Sequence, residues 1–301
     1  MSKDKVELRG IGSVFSAILL WGFLPLYWRQ LGSIPADVIL ANRIIWSFVF
    51  VIIILGYQRR IRELFPQIKS GKNNVLFIAG VIISFNWFTY IYAVNSGHIV
   101  EASLGYYINP LLMIFLARVV EKEKMDLYQL AAVILAFIGV AIITFNYGQI
   151  PWIALVLAIT FSSYSLIKKR VQTDVVLGIS LETIAVVPIA LTYLLFLSLK
   201  EPQIYTALNP KEFVFLLSTG VITAVPLMLF AYGAQRIPLM TVGFINYLSP
   251  TINLFLGVFI FKEPFTIIHI LTFGFIWTAL VLYSFSQMRA VTQENVSSTL
   301  N

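Results

Sequence analysis

Three charged residues lie inside or at the edge of long apolar runs: Arg43, Glu101 and Glu182. A charge in hydrocarbon costs about 2.5–3.5 kcal/mol on insertion scales, so each calls for a partner or a task. The guanidinium of Arg43 presents a planar fork that can grip a carboxylate through two parallel hydrogen bonds; the bland alternative is snorkelling to the interface. Trp46 lies about one helical turn from Arg43. Glu101 opens a later run from the same side, where it is a partner of Arg43, a gate displaced by substrate, or a solvated helix end. Glu182 is placed to carry a coupling proton, or to sit at a helix start favoured by the macrodipole. Asn86, Tyr90, Tyr106, Tyr107, Asn109, Asn246 and Tyr247 add amide and phenol groups that must find partners inside a bundle, either as substrate ligands or as interhelical bonds. Pro110 and Pro250 each remove a backbone donor and free the carbonyl one turn earlier, which suits a helix broken at a binding site.

No cofactor or metal chemistry is expected. The chain has no cysteine and two histidines, His98 and His269, far apart and without ligand-spaced partners. Phosphate-loop, dinucleotide, zinc-protease and serine-hydrolase motifs are lacking, so the chain alone has no means of hydrolysing ATP.

The elements that would position these groups follow from composition. Of 301 residues, 59% are hydrophobic and 12% charged, against about 45–50% and about 25% in soluble domains. The expectation is an all-α polytopic membrane protein. At about 20 residues per crossing, ten spans are read: 10–28, 37–56, 75–95, 100–117, 127–145, 150–167, 177–199, 213–233, 240–261 and 266–286. The first is a retained helix, since no small-residue cleavage site follows it. With the N-terminus in the cytoplasm, sixteen Lys and Arg fall in inside segments and four outside, Arg43 being within a span. Both termini are therefore expected in the cytoplasm. Lys168, Lys169 and Arg170 count as such topology signals. The net charge of +7 has the same origin and does not point to nucleic acid. Trp28, Tyr57, Trp152 and Tyr205 are expected at the interfacial belts.

The chain also repeats. An offset of 140 residues superimposes Gly80-Val81-Ile82 on Gly220-Val221-Ile222, Tyr107 on Tyr247, Pro110 on Pro250 and Lys122-Glu123 on Lys262-Glu263. Ten of the 45 positions from Gly80 to Lys124 are identical. Five spans per half is odd, so the second half must cross in the opposite sense. The expected units are residues 8–147 and 148–287, an inverted 5+5 repeat, followed by a cytoplasmic tail at 288–301. Inverted repeats of this kind recur in secondary transporters, which bind substrate between the halves.

The segments Ser103-Leu104-Gly105-Tyr106-Tyr107-Ile108-Asn109-Pro110-Leu111 and Asn246-Tyr247-Leu248-Ser249-Pro250, followed by Glu123 and Glu263, resemble the EamA family of the drug/metabolite transporter superfamily. Asn42-Arg43-Ile44-Ile45-Trp46-Ser47 and Leu181-Glu182-Thr183, with Pro188 and Tyr193, resemble its RarD subgroup. The resemblance implies a ten-helix fold in the cell membrane and movement of a small metabolite, such as an amino acid or related carboxylate. The partners expected are the bilayer, a small-molecule substrate and protons, with a monomer and a homodimer both open. The competing readings are a membrane-embedded enzyme, which would need clustered Asp, His or Ser, and a nucleotide-sugar-type carrier, which would need more cations around its cavity.

Overall fold

The computed structural model describes residues 3–69, 71, 74–96, 98–201, 208–262 and 266–299, with backbone alone at 3, 4, 94, 95, 99–101, 261 and 290–299. The described residues are helical, without strands, and ten helices are long and apolar enough to span a membrane. They are α1 (Lys3–Trp28), α2 (Ala36–Tyr57), α3 (Asn74–Asn95), α4 (Ile99–Val119), α5 (Leu127–Tyr147), α6 (Trp152–Arg170), α7 (Val175–Lys200), α8 (Pro210–Ala234), α9 (Leu239–Ile260) and α10 (Ile267–Thr299). A short helix, Leu64–Lys69, lies between α2 and α3. The last helix continues to Thr299, so the expected tail extends the final span as helix.

Local chemistry sets the helix ends. Asp126 and Gln129 form a reciprocal capping box at the start of α5, and Gly148 closes that helix at φ 78°. Asn209 and Glu212 repeat the box at α8, with Pro210 in the first turn. Asp174 accepts from Val176 and Leu177 N–H to start α7. The two prolines behave differently. Pro110 is carried within an unbroken α4, whereas α9 stops at Asn246, restarts at Leu248 and ends in a π turn over Leu256–Phe261. Asn246 is four residues before Pro250, where the lost donor releases a carbonyl. At Pro110 the expected break is absent; there α6 packs closely on Gly105 through Leu157 and Ala154, and Ser162 donates to both the carbonyl and the side chain of Asn109.

The packing partners correspond between halves. The contacts of α2 with α8, α1 with α8 and α1 with α9 have counterparts in α7 with α3, α6 with α3 and α6 with α4. The remaining large contacts, α2 with α7, α4 with α9 and α5 with α10, join helices that the 140-residue offset pairs with each other. The closest approaches follow the same rule. A Cβ on Gly80 would stand 2.2 Å from the carbonyl oxygen of Glu182, and one on Gly220 would stand 2.3 Å from that of Trp46. Only glycine lets these backbones meet. Trp21 and Phe161, matched by the offset, touch edge to face with centroids 5.6 Å apart.

Contacts between helix ends define two faces. On the face where α1 begins, Arg60 after α2 meets Asp174 before α7 at 3.3 Å, and Glu123 after α4 accepts from the first N–H groups of α9, those of Leu239 at 2.6 Å and Met240 at 3.0 Å. On the opposite face Lys211 donates to Gln30 at 2.7 Å and Tyr193 donates to Asp37.

Candidate functional site: a polar cavity and the closure beneath it

A cavity of about 130 Å³ lies among α1, α2, α3, α4, α6 and α9. Trp21, Leu24, Pro25 and Trp28 come from α1, Arg43 from α2, Asn86, Trp87 and Tyr90 from α3, Tyr106 and Asn109 from α4, Leu157 and Phe161 from α6, and Asn246, Ser249 and Asn253 from α9. Arg43 is the cation on its wall. The guanidinium carbon sits 4.8 Å from the ring centroid of Trp28 and 4.5 Å from that of Trp87. Nε donates to Thr223 Oγ1 at 3.1 Å. Two indole faces hold the guanidinium between them. Among the described residues no carboxylate forms an ion pair with Arg43. The side chain of Glu101 lies outside the described residues, and with it the expected Arg43–Glu101 pair.

The other sequence candidates divide. Tyr90 and Tyr106 meet at 6.0 Å on the cavity wall. Asn86 and Asn109 also line it but are engaged. Asn86 Nδ2 donates to Leu157 O at 2.9 Å and to Thr160 Oγ1 at 2.8 Å, tying α3 to α6. Asn109 Oδ1 accepts from Ser162 at 2.7 Å, tying α4 to α6. Asn246 reaches the cavity from α9, its amide nitrogen 3.8 Å from Met113 Sδ. Trp46, Tyr107 and Tyr247 lie away from the wall. The Trp46 indole donates back to Asn42 at 3.2 Å. Tyr107 packs on Phe273, centroids 5.6 Å apart. Tyr247 is buried in the core with its hydroxyl unpaired.

Sequence reasoning missed several residues. Trp28, expected at the interfacial belt, stacks on Arg43 instead. Ser249 and Asn253 stand on the α9 wall; their spacing of three and seven residues after Asn246 was the available signal. Lys168 is the largest correction. Expected as a loop charge, it is 2% exposed and forms an ion pair with Glu182, itself 3% exposed. Tyr164 donates to the second Glu182 oxygen at 3.0 Å. Lys168 ends an apolar run, and sequence cannot tell whether such a side chain turns to water or inward.

This ion pair belongs to a layered closure on the face where α1 begins. Next to the cavity lie Trp21, Phe161, Phe230 and Tyr164, with successive rings 5.4 to 6.3 Å apart. Beyond them three consecutive residues of α6 bind three separate elements. Lys168 holds Glu182 of α7, Lys169 donates to Ile237 O between α8 and α9, and Arg170 holds Glu121 at 2.6 Å after α4. Glu263 lies outside the described residues. Among the described residues no three metal-ligating side chains come together.

The comparisons agree with this architecture. The profile described as the EamA-like transporter family matches twice, over residues 8–145 and 150–285. The protein of Bacillus subtilis (strain 168) named "Uncharacterized transporter YojE" is 46% identical, covering 92% of this chain and 95% of its own. "Protein RarD" of Escherichia coli (strain K12) is 36% identical, over 93% and 95%. A solved structure described as "Crystal structure of protein" superposes with a TM-score of 0.67 at 21% identity, over 93% of this chain and 98% of that one, and shows a shared fold. A multi-pass membrane protein with two such matches, and with relatives of this similarity along nearly its whole length, belongs to the EamA-like transporter family and is a transporter of the RarD type.

Proposed function

We propose that this transporter is a secondary-active carrier of a small metabolite bearing a carboxylate, an amino acid or related acid, working by alternating access. The observation that carries this reading is Arg43: a cavity-lining guanidinium held between Trp28 and Trp87, with no acidic partner among the described residues. A planar guanidinium presented to a cavity in this way suits an anionic ligand group. Further support comes from the lining, which mixes phenols and amides with indoles.

The inverted orientation of the halves and the cytoplasmic location of both termini rest on the Lys and Arg count. In that orientation, in the cell membrane, the layered closure is the cytoplasmic gate and the cavity belongs to an outward-facing state. Exchange of conformation between two similar halves would open the gate through Lys168–Glu182 and close the other side around Arg43. Glu182 is the proposed proton acceptor: protonation removes the charge that holds Lys168 and Tyr164.

Counterflow in liposomes tests the reading, using purified protein and labelled amino acids, other small carboxylates, neutral metabolites and chloramphenicol. A saturable signal for a carboxylate, lost in Arg43→Gln and not restored by Arg43→Lys, is expected. A lysine is a point charge and cannot reproduce the flat guanidinium between two indoles. Transport confined to neutral compounds, or undiminished in Arg43→Gln, refutes it.

A further inference from the structure

The cavity wall carries four amides, and their hydrogen bonding separates them. Asn86 and Asn109 are engaged in α3–α6 and α4–α6 ties. Asn246 has only the long contact to Met113 Sδ. Asn253 makes no side-chain hydrogen bond among the described residues, and its Oδ1 is buried without a partner. A buried amide oxygen left unpaired is costly, and native structures supply it with water or a ligand. Asn246, Ser249 and Asn253 follow one another at three and four residues, so they form one stripe along α9. The helix break after Asn246 falls within the stripe, between Asn246 and Ser249, and the π turn starting at Leu256 follows it. Turns of that kind concentrate at functional sites.

We infer that Asn253 is a specificity determinant that accepts a hydrogen bond from a second, donor-bearing group of the substrate, an amine or a hydroxyl, while Arg43 holds the carboxylate. The transporter then prefers amino or hydroxy acids to the same acids lacking that group. This rests on the carboxylate reading of the cavity. Rotation of the amide brings either of its polar atoms to the wall, and a substrate N–H or O–H is the complement of Oδ1. Asn109 already spends its oxygen on the α4–α6 tie and Asn86 is fixed by the two bonds its nitrogen donates, whereas the amide of Asn253 has no tie to release.

The test is equilibrium binding to the purified full-length protein in detergent, using matched sets: alanine, lactate and propionate; leucine, 2-hydroxy-4-methylpentanoate and 4-methylpentanoate; phenylalanine, phenyllactate and phenylpropionate. Each set differs at one substituent. In at least one set the amino or hydroxy acid should bind about tenfold tighter than the unsubstituted acid, the worth of one buried hydrogen bond. Asn253→Leu should bring the members of that set within about twofold of each other. Should Asn253→Leu fail to fold, Asn253→Asp serves in its place and should favour the amino acid over the hydroxy acid. Equal binding across every set, a preference that survives in Asn253→Leu, or an amino-to-hydroxy ratio unmoved in Asn253→Asp overturns the inference while the Arg43 reading stands. If no acid of any set binds, the carboxylate reading falls and this inference with it.

Discussion

Removing one partner of the Lys168–Glu182 pair should open the face that α6, α7 and α9 close. Both side chains are almost wholly buried, and Tyr164 is the further partner of Glu182. Breaking a buried pair by removing one member costs about 3–5 kcal/mol, because the survivor is left charged and uncompensated. At about 1.36 kcal/mol per power of ten, that is up to two to four decades in the equilibrium between the closed state and one in which water reaches the survivor. The chain has no cysteine, so a single reporter can be introduced. Ser165 is fully buried on α6, between the aromatic layer and the charged one, and Ser165→Cys changes little volume. Labelling by a membrane-impermeant maleimide, in vesicles of defined orientation, reads its exposure. Lys168→Met and Glu182→Gln should each accelerate labelling at least tenfold from the face where α1 begins. The double variant should fall back toward the parent, since two neutral groups leave no uncompensated charge. Parent-like labelling in both single variants would refute the assignment of this pair as a gate. A matching rise without recovery in the double variant would refute the charge argument while leaving a steric role.

Other consequences can be measured separately. Gly80→Ala and Gly220→Ala each drive a methyl group into a backbone carbonyl; each should destabilise by at least about 1–3 kcal/mol, seen as a lower Tm of purified protein, whereas Gly12→Ala, with open space around it, should leave Tm unchanged. Asn86→Ala should lower Tm through loss of the α3–α6 tie, while substrate affinity stays within about twofold of the parent, because its amide nitrogen is committed to that tie rather than to a ligand; a much larger loss of affinity at unchanged Tm would make Asn86 a substrate ligand. Burial alone would raise the pKa of Asp126, but the Ser286 hydroxyl, the backbone N–H groups of Gln129 and Tyr128 and the charge of Arg289 hold it below the usual carboxylate range. A depressed folded-state pKa contributes stability above the unfolded value and loses it as pH falls through the folded one. Asp126→Asn should therefore lower Tm at neutral pH, and the difference from the parent should shrink on acidification; a constant difference would show that its ionisation is irrelevant.

Much of this protein is legible in its residues because of what a bilayer demands. Every span must be long, apolar and helical, so run length alone located the ten crossings. The glycines at 80 and 220 and the prolines at 110 and 250 exposed the repeat, since their roles cannot be filled by a neighbouring apolar residue. Arg43 stood out because a lone guanidinium in an apolar run has few bland explanations.

What the tertiary structure decided is which way each side chain turns. In a soluble helix, polar and apolar faces announce the interior. In a span both the lipid and the bundle are apolar, so Trp28 could not be told from a belt residue, nor Asn253 from a packing amide. Lys168 ends its helix at a position that serves water or the core equally well, and only the placement of Glu182 on α7 draws it inward. Asn86 and Asn109 have the same chemistry as Asn246 and Asn253. Whether an amide is engaged or available depends on the helix across from it, and that neighbour is set by packing between segments far apart in the chain.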